Sequence, residues 1–197
     1  VEGPQDIRFL KHMGRILNKH DQSHPDIEDD PRIGIIPLGG STLNEWVQNH
    51  YLRCLDLPEI HIYDRDTQAP PQYQNACNDV NSRGDGSWAA LTNKREIENY
   101  LHLDAIAEVY TQINSADLVL QDQANVPELI AKKVHESSGA PTVWELLEEG
   151  KRGKKIRRAK KRLCDEAASR MTIERLDAVD SNGEVKGWFI KIAEQLT

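Results

Sequence analysis

The stretch Glu59-Ile60-His61-Ile62-Tyr63-Asp64-Arg65-Asp66 constrains the fold more than any other, because a short apolar run ends there in two carboxylates. Residues two apart on a strand point to the same side. A strand reading therefore projects Asp64 and Asp66 together from its C-terminal end, where open α/β sheets hold their ligands. Two carboxylates on one side repel unless a proton or a metal lies between them. Hard oxygen ligands suit Mg²⁺ or Mn²⁺. Taken alone, Asp-x-Asp also describes a solvated turn after a strand, so the rest of the chain decides.

The punctuation around this stretch repeats a strand–helix unit. Gly3 and Pro4 suit the cap and first residue of a helix. Ile7, Leu10, Gly14 and Leu17 keep helical spacing behind them. Glu2 then sits on the turn entering that helix, a strand is expected before Val1, and the chain reads as a fragment of a longer protein. Residues 20–32 form a polar loop. Ile33–Pro37 reads as a short buried strand ending in Leu38-Gly39-Gly40-Ser41-Thr42. Thr42 and Glu45 form a capping box, opening a helix with Leu43, Trp46, Val47 and Cys54. After the strand at 59–66 come a helix over 73–81, a Gly turn at 83–86, a strand over 88–91 and a helix capped by Asn93. This order predicts an α/β fold with a doubly wound, mostly parallel sheet. Residues 103–150 read as helical without strand signals, with helices at 103–114, 126–137 and 142–149. A basic helix over about 153–171, a helix after Thr172, an Asn182-Gly183 turn and a last helix with Val185, Trp188, Phe189 and Ile192 close the chain.

With 197 residues, 29% charged and 38% hydrophobic, the chain can bury a real core as one domain, or as one domain with an insert. No apolar run approaches a membrane span. Three separated cysteines, Cys54, Cys77 and Cys164, fit a reducing cytoplasm better than a disulfide framework. The net charge of −7 argues at first against nucleic acid. Yet residues 151–162 hold nine of the 25 basic residues and no acid, leaving 16 basic against 32 acidic, or −16, elsewhere. An acidic body with one dense basic element suggests a phosphate-rich partner met at one place.

Glu2, Asp6, Asp64, Asp66 and Glu98, or Glu96 in its place, form an acidic set on one rim of the expected sheet. Several converging carboxylates need cations there, and two divalent ions can activate water and stabilise a phosphodiester's leaving oxygen. Gly39-Gly40-Ser41 is a second rim element whose backbone could approach phosphate, although a plain tight turn reads the same. In the basic helix, Ile156, Ala159, Leu163, Ala167 and Met171 define an apolar stripe. At about 100° per residue Lys160 falls inside it, while Arg157, Arg158 and Lys161 fall outside. An inward lysine can reach the acidic set or a scissile phosphate, or it can snorkel to water. The outward cations read as a DNA-facing surface. His20-x₃-His24 lies in a polar loop with no supporting motif, and the other histidines lack a nucleophile pattern. Asp180–Gly183 lacks the first and last ligands of a calcium loop. No GxxxxGK[ST] is present, so no nucleotide site is expected.

Four pieces of the sequence, in this order, carry a resemblance. They are Val1-Glu2-Gly3-Pro4-Gln5-Asp6, Ile36-Pro37-Leu38-Gly39-Gly40, Tyr63-Asp64-Arg65-Asp66 and Lys94-Arg95-Glu96-Ile97-Glu98-Asn99-Tyr100-Leu101. Together they resemble a Toprim domain, most closely the C-terminal nuclease region of the OLD (overcoming lysogenization defect) family of ATP-dependent endonucleases. The resemblance implies a Rossmann-like Toprim core over 1–102, its first strand truncated, a helical insertion over 103–150, and closing helices over 151–197. It implies a cytoplasmic, Mg²⁺- or Mn²⁺-dependent DNA endonuclease with two ions per site. The partners it implies are DNA, an N-terminal ABC-type ATPase domain and a second copy of the full protein. Glu2, Asp6, Asp64, Asp66 and Glu98 would be metal ligands, with Ser41 or Gly40 a weaker one and Glu96 the substitute for Glu98. Glu2 would also take part in proton transfer. Lys160 would contact the scissile phosphate, with Lys161 or Lys155 as alternatives. Arg95, Lys154, Lys155, Arg157, Arg158 and Lys161 would bind DNA. A topoisomerase or primase fragment, or a non-catalytic Toprim scaffold, are the other readings of the same residues.

Overall fold

The computed structural model describes residues 1–39 and 41–196, Ser41 through its backbone alone. The class is mixed α/β, with a two-stranded parallel sheet at the centre. Strand β1 is Ile60–Tyr63 and strand β2 is Trp88–Leu91, with Ile60 opposite Trp88 and Tyr63 opposite Leu91. Alternation along β1 sends its side chains into two separate cores. Ile62 joins one, and Tyr63, with Ala89 from β2, joins the other. Both faces must then be covered, which parallel sheets do with helices.

On the Ile62 face lies helix α1, Pro4–His20, which buries Phe9, Leu10, Met13, Gly14 and Leu17 along one stripe. A Cβ at Gly14 would stand 2.8 Å from the Phe189 ring, so glycine lets α1 and the last helix approach closely. On the Tyr63 face lie α2, Ser41–Asn49, and α3, Gln74–Asn81, contributing Leu43, Val47, Ala76, Cys77 and Val80. The remaining helices extend the first core. They are α4 (Leu103–Val109), α5 (Val126–Ser137), α6 (Glu149–Arg162), α7 (Ile173–Val179) and α8 (Glu184–Glu194). Ile106, Ile130, Ala159, Leu163, Leu176, Trp188 and Phe189 share one continuous cluster with α1. Past Arg162, α6 widens into a π turn over Leu163–Ala167 and tightens over Ala168–Arg170. Among the described residues, no helix is long and apolar enough to cross a membrane.

Several elements differ from expectation, each for a local reason. The sheet has two strands among the described residues. Ile33–Pro37 forms no ladder among the described residues, and Ile36 is 41% exposed rather than buried. Val1 bonds to it: Leu38 N donates to Val1 O at 2.7 Å and the Val1 amino group to Ile36 O at 3.4 Å. Thr42 lies inside α2 rather than capping it. Cys54 sits in a separate tight turn, Arg53–Leu55, because His50 (φ 44°) breaks the helix. No helix starts at Asn93. Arg95 N donates to Asp122 O and Arg95 O accepts from Asp66 N, so that backbone is committed to loop contacts and only a tight turn, Ile97–Tyr100, follows. The expected helix at 103–114 stops at Val109, and that at 142–149 shrinks to Trp144–Leu146. Strand β1 ends at Tyr63, and Asp66 has φ 54°, so strand alternation does not relate Asp66 to Asp64.

Candidate metal centre

Asp64 follows the last residue of β1, at the C-terminal edge of the sheet. Its Oδ1 accepts from Ile97 N at 2.9 Å, the first backbone N–H of the Ile97–Tyr100 turn. Such an N–H has no partner within its own turn, so the carboxylate and the turn fix each other. The turn brings Glu96 and Glu98 to the same place. Asp64, Glu96 and Glu98 offer oxygens all within 4.8 Å of one another, the one such group of potential metal ligands among the described residues. Asn99 anchors the turn from behind, its Nδ2 donating to Gln121 O and Ala124 O, both at 3.0 Å.

Lys160 reaches this cluster from α6. Its Nζ is 3.4 Å from Asp64 Oδ2, 3.4 Å from Glu98 Oε1 and 3.8 Å from Glu96 Oε2. One turn further on, Cys164 Sγ donates to Glu98 Oε1 at 3.1 Å. Glu98 is 0% exposed and Asp64 8%. One ammonium does not neutralise three carboxylates. Burial pushes Asp64 well above the usual carboxylate range; Lys160 opposes this, and Glu98, Asp6 and Glu2 add to it. Burial likewise lifts Glu96 and Glu98 each to about 7, again against Lys160. For Lys160 burial acts downward, but Glu98, Asp64, Asp6 and Glu96 together raise it. Glu96 Oε1 and Glu98 Oε2 are buried without a hydrogen-bond partner. Buried polar atoms are ordinarily satisfied, and two orphaned carboxylate oxygens facing a shortage of positive charge fit a hard divalent cation.

The other sequence candidates fall around this centre rather than in it. Glu2 Oε1 accepts from Asp64 N at 2.8 Å, and burial raises its carboxyl, with the Asp64 N–H opposing. Gly39 stands against it: a Cβ there would meet Glu2 O at 2.7 Å. The close approach that the glycine permits is therefore to the Glu2 backbone. Asp6 Oδ2 accepts from Gly3 N at 2.7 Å and closes the first turn of α1, while its charge acts on Asp64 and Lys160. Asp66 N donates to Arg95 O at 3.0 Å, and Asp66 adds negative charge near Glu2 and Glu96. Glu2, Asp6 and Asp66 do not form a second close ligand group among the described residues. Gly40 and the Ser41 side chain lie outside the described residues. Lys154, Lys155, Arg157, Arg158 and Lys161 are exposed on α6, and Arg95 is half-buried. No family model matches the chain, and no curated protein or solved structure is detectably similar to it.

Two features at this sheet escape the sequence reading. Cys164 is four residues beyond Lys160, so the helical period that turns Lys160 inward turns Cys164 inward too. At the opposite end of β1, Glu59 Oε2 accepts from Trp46 Nε1 (3.0 Å), lies 2.7 Å from His61 Nε2 and pairs with Arg83 at 3.2 Å. Burial alone would raise Glu59, but the His61 and Trp46 hydrogen bonds and Arg83 hold it at about 2. That buried network lies at the end of the strand opposite Asp64, and in it Glu59 Oε1 and Arg83 Nη1 also lack a hydrogen-bond partner.

The raised carboxylates fix a pH dependence. Glu96 and Glu98 titrate near 4.5 when unfolded and near 7 when folded. The folded state then binds more protons between these values, so their contribution to stability is present below about 4.5 and is lost as pH rises through about 7. Metal-free protein is expected to have a lower unfolding midpoint at about pH 8 than at about pH 5.5, and millimolar Mn²⁺ is expected to reverse the loss at the higher pH. Thermal scans with EDTA or Mn²⁺ check this. A midpoint at the higher pH that ignores Mn²⁺ contradicts it.

Proposed function

We propose that the protein is a Mg²⁺- or Mn²⁺-dependent endonuclease that hydrolyses phosphodiester bonds in DNA. One observation carries the reading: three clustered carboxylates with two orphaned buried oxygens lie under a lysine from the basic helix. The outer side of that helix exposes Lys154, Lys155, Arg157, Arg158 and Lys161, a cationic face suited to the DNA backbone. The reading agrees with the resemblance to the Toprim nuclease region of the OLD family. The attached ABC-type ATPase, the homodimer and the two-ion site belong to this proposal on the same footing.

In this reading Asp64, Glu96 and Glu98 would hold the ion. When bound, the ion supplies Lewis acidity at the phosphate and lowers the pKa of water. The chain's own residues position and protonate. The α6 cations hold the strand by its phosphates, and Ile97 N keeps Asp64 oriented. Lys160, which lies over these carboxylates, would direct its ammonium at the scissile phosphate, where negative charge builds. Glu2, partly buried with its carboxyl raised, accepts the proton from the attacking water. The acids of Asp6 and Asp66 add negative charge along the same rim and carry the expectation of a second ion.

Supercoiled plasmid incubated with the protein is expected to become nicked or linear in Mg²⁺ or Mn²⁺ but not in EDTA. Asp64→Ala is expected to abolish this while remaining folded. If no ion supports cleavage, by this chain or by a longer form carrying the ATPase, the nuclease reading fails and a DNA- or protein-binding scaffold takes its place.

A further inference from the structure

The two oxygens of Glu98 have different surroundings. Oε1 accepts from Cys164 Sγ at 3.1 Å and lies 3.4 Å from Lys160 Nζ. Oε2 of the same carboxylate is buried without a hydrogen-bond partner. Residues four apart on a helix lie one above the other on one face. Helix α6 and the turn that continues it therefore aim both donors at one oxygen and none at the other. Glu98 is fully buried, so Oε2 is an acceptor held away from solvent.

The two donors are not equivalent. Lys160 serves three carboxylates at once, with Asp64 Oδ2 at 3.4 Å and Glu96 Oε2 at 3.8 Å. An ammonium on a flexible stem attracts each of them and orients none. The Cys164 side chain is short and is held in the core with Leu163, Ala167 and Ala168. It belongs to the π turn Leu163–Ala167, where Ala168 N donates to Leu163 O across five residues. Such turns inside helices are frequent at functional sites. Cys164 stays outside the close ligand group of Asp64, Glu96 and Glu98, so the thiol acts on a ligand rather than as one.

We infer that Cys164 is a positioning residue of the metal centre, its thiol engaging Oε1 of Glu98 and leaving Oε2 as the oxygen open to the ion. This role rests on the proposed ligation by Asp64, Glu96 and Glu98. Carboxylates that ligate a metal are ordinarily held by hydrogen bonds from outside the ligand set, and losing such a partner costs about 10–100-fold in affinity. Asp64 has its own in Ile97 N, which donates to Oδ1 at 2.9 Å and leaves Oδ2 toward Lys160. Cys164 does the same for Glu98. A neutral donor suits that place, because it fixes the carboxylate without adding a positive charge that competes with a cation.

Manganese titrations at one pH, followed by the electron paramagnetic resonance of the free ion, test this. They compare the wild type with Cys164→Ser, Cys164→Ala, Cys164→Val and Asp64→Asn. Serine keeps a donor; alanine and valine remove it, valine while keeping most of the volume. The alanine and valine variants are expected to bind Mn²⁺ at least about tenfold more weakly than the wild type. Serine is expected to lie closer to the wild type than to either. Metal-free unfolding midpoints read the packing change, and a merely structural role moves those without separating serine from valine in affinity. Unchanged affinity in the valine variant would overturn the inference, as would equal losses in serine, alanine and valine. If alanine does not fold, serine against valine still decides. Asp64→Asn is expected to lose Mn²⁺ whatever Cys164 does. Wild-type affinity in Asp64→Asn, or no binding by the wild type, sinks the metal centre itself. Loss in Asp64→Asn with full affinity in valine sinks only the role of Cys164.

Discussion

Glu98→Gln is expected to abolish metal-dependent cleavage and, at the same time, to make the metal-free protein more stable at about pH 8. The two effects share one cause. Glu98 is fully buried, and burial lifts its carboxyl to about 7 even with Lys160 beside it. Above that pH the folded state holds an ionised group that the unfolded chain solvates better. Glutamine keeps the shape and removes the charge. A shift of one pH unit corresponds to about 1.4 kcal/mol, so the gain is expected to be at least about 4 °C in midpoint for a chain of this size. Near pH 5, where the native carboxyl is already protonated, the gain is expected to vanish. Thermal scans at the two pH values, with plasmid cleavage alongside, read both effects. A Gln variant that is less stable at the higher pH would mean that the Lys160 pairing outweighs the cost of burying the charge.

Lys160→Ala is expected to have the opposite signature in stability and the same one in activity. Its ammonium is the cation within 4 Å of Asp64, Glu96 and Glu98. Removing one partner from a buried ion cluster leaves uncompensated charge and costs about 3–5 kcal/mol. At about pH 8 the metal-free variant is expected to unfold far below the wild type, and Mn²⁺ is expected to restore much of the stability. Cleavage is expected to stay lost in Mn²⁺, because the positive charge at the phosphate is still missing. Lys161→Ala, one residue on and exposed, is expected to keep its stability and its rate at saturating DNA. It should reduce only the salt dependence of binding, by about one counterion. Equal rate losses in the two variants would make α6 a DNA surface and nothing more.

How much of this is legible in the sequence depends on whether the determining geometry is local. The period of one helix turns Lys160 inward, so a wheel suffices to place it near the stripe of Ala159 and Leu163. The position of Asp64 follows from a strand and its end. Helix α5 is legible at its start because Asn125 caps it and Pro127 follows in its first turn. The convergence of Glu96 with Glu98 is not legible. It comes from a tight turn pinned by Asn99 to Gln121 O and Ala124 O, and by Arg95 N to Asp122 O. Those partners lie more than twenty residues away. A helix starting at Asn93 satisfies local rules and loses to these distant bonds. Asp66 fails similarly, since the left-handed turn after Tyr63 removes it from the strand's period. Segment 33–38 has strand composition but no ladder, because pairing is a property of neighbours and not of composition.

The most direct measurement is the anomalous scattering of a crystal soaked in Mn²⁺ near pH 8. A peak is expected in contact with carboxylate oxygens of Asp64, Glu96 and Glu98, with the Lys160 ammonium moved away from them, and no such peak in an Asp64→Asn crystal treated alike. Well-ordered carboxylates still closed on Lys160, with no manganese among them at millimolar metal, would contradict it.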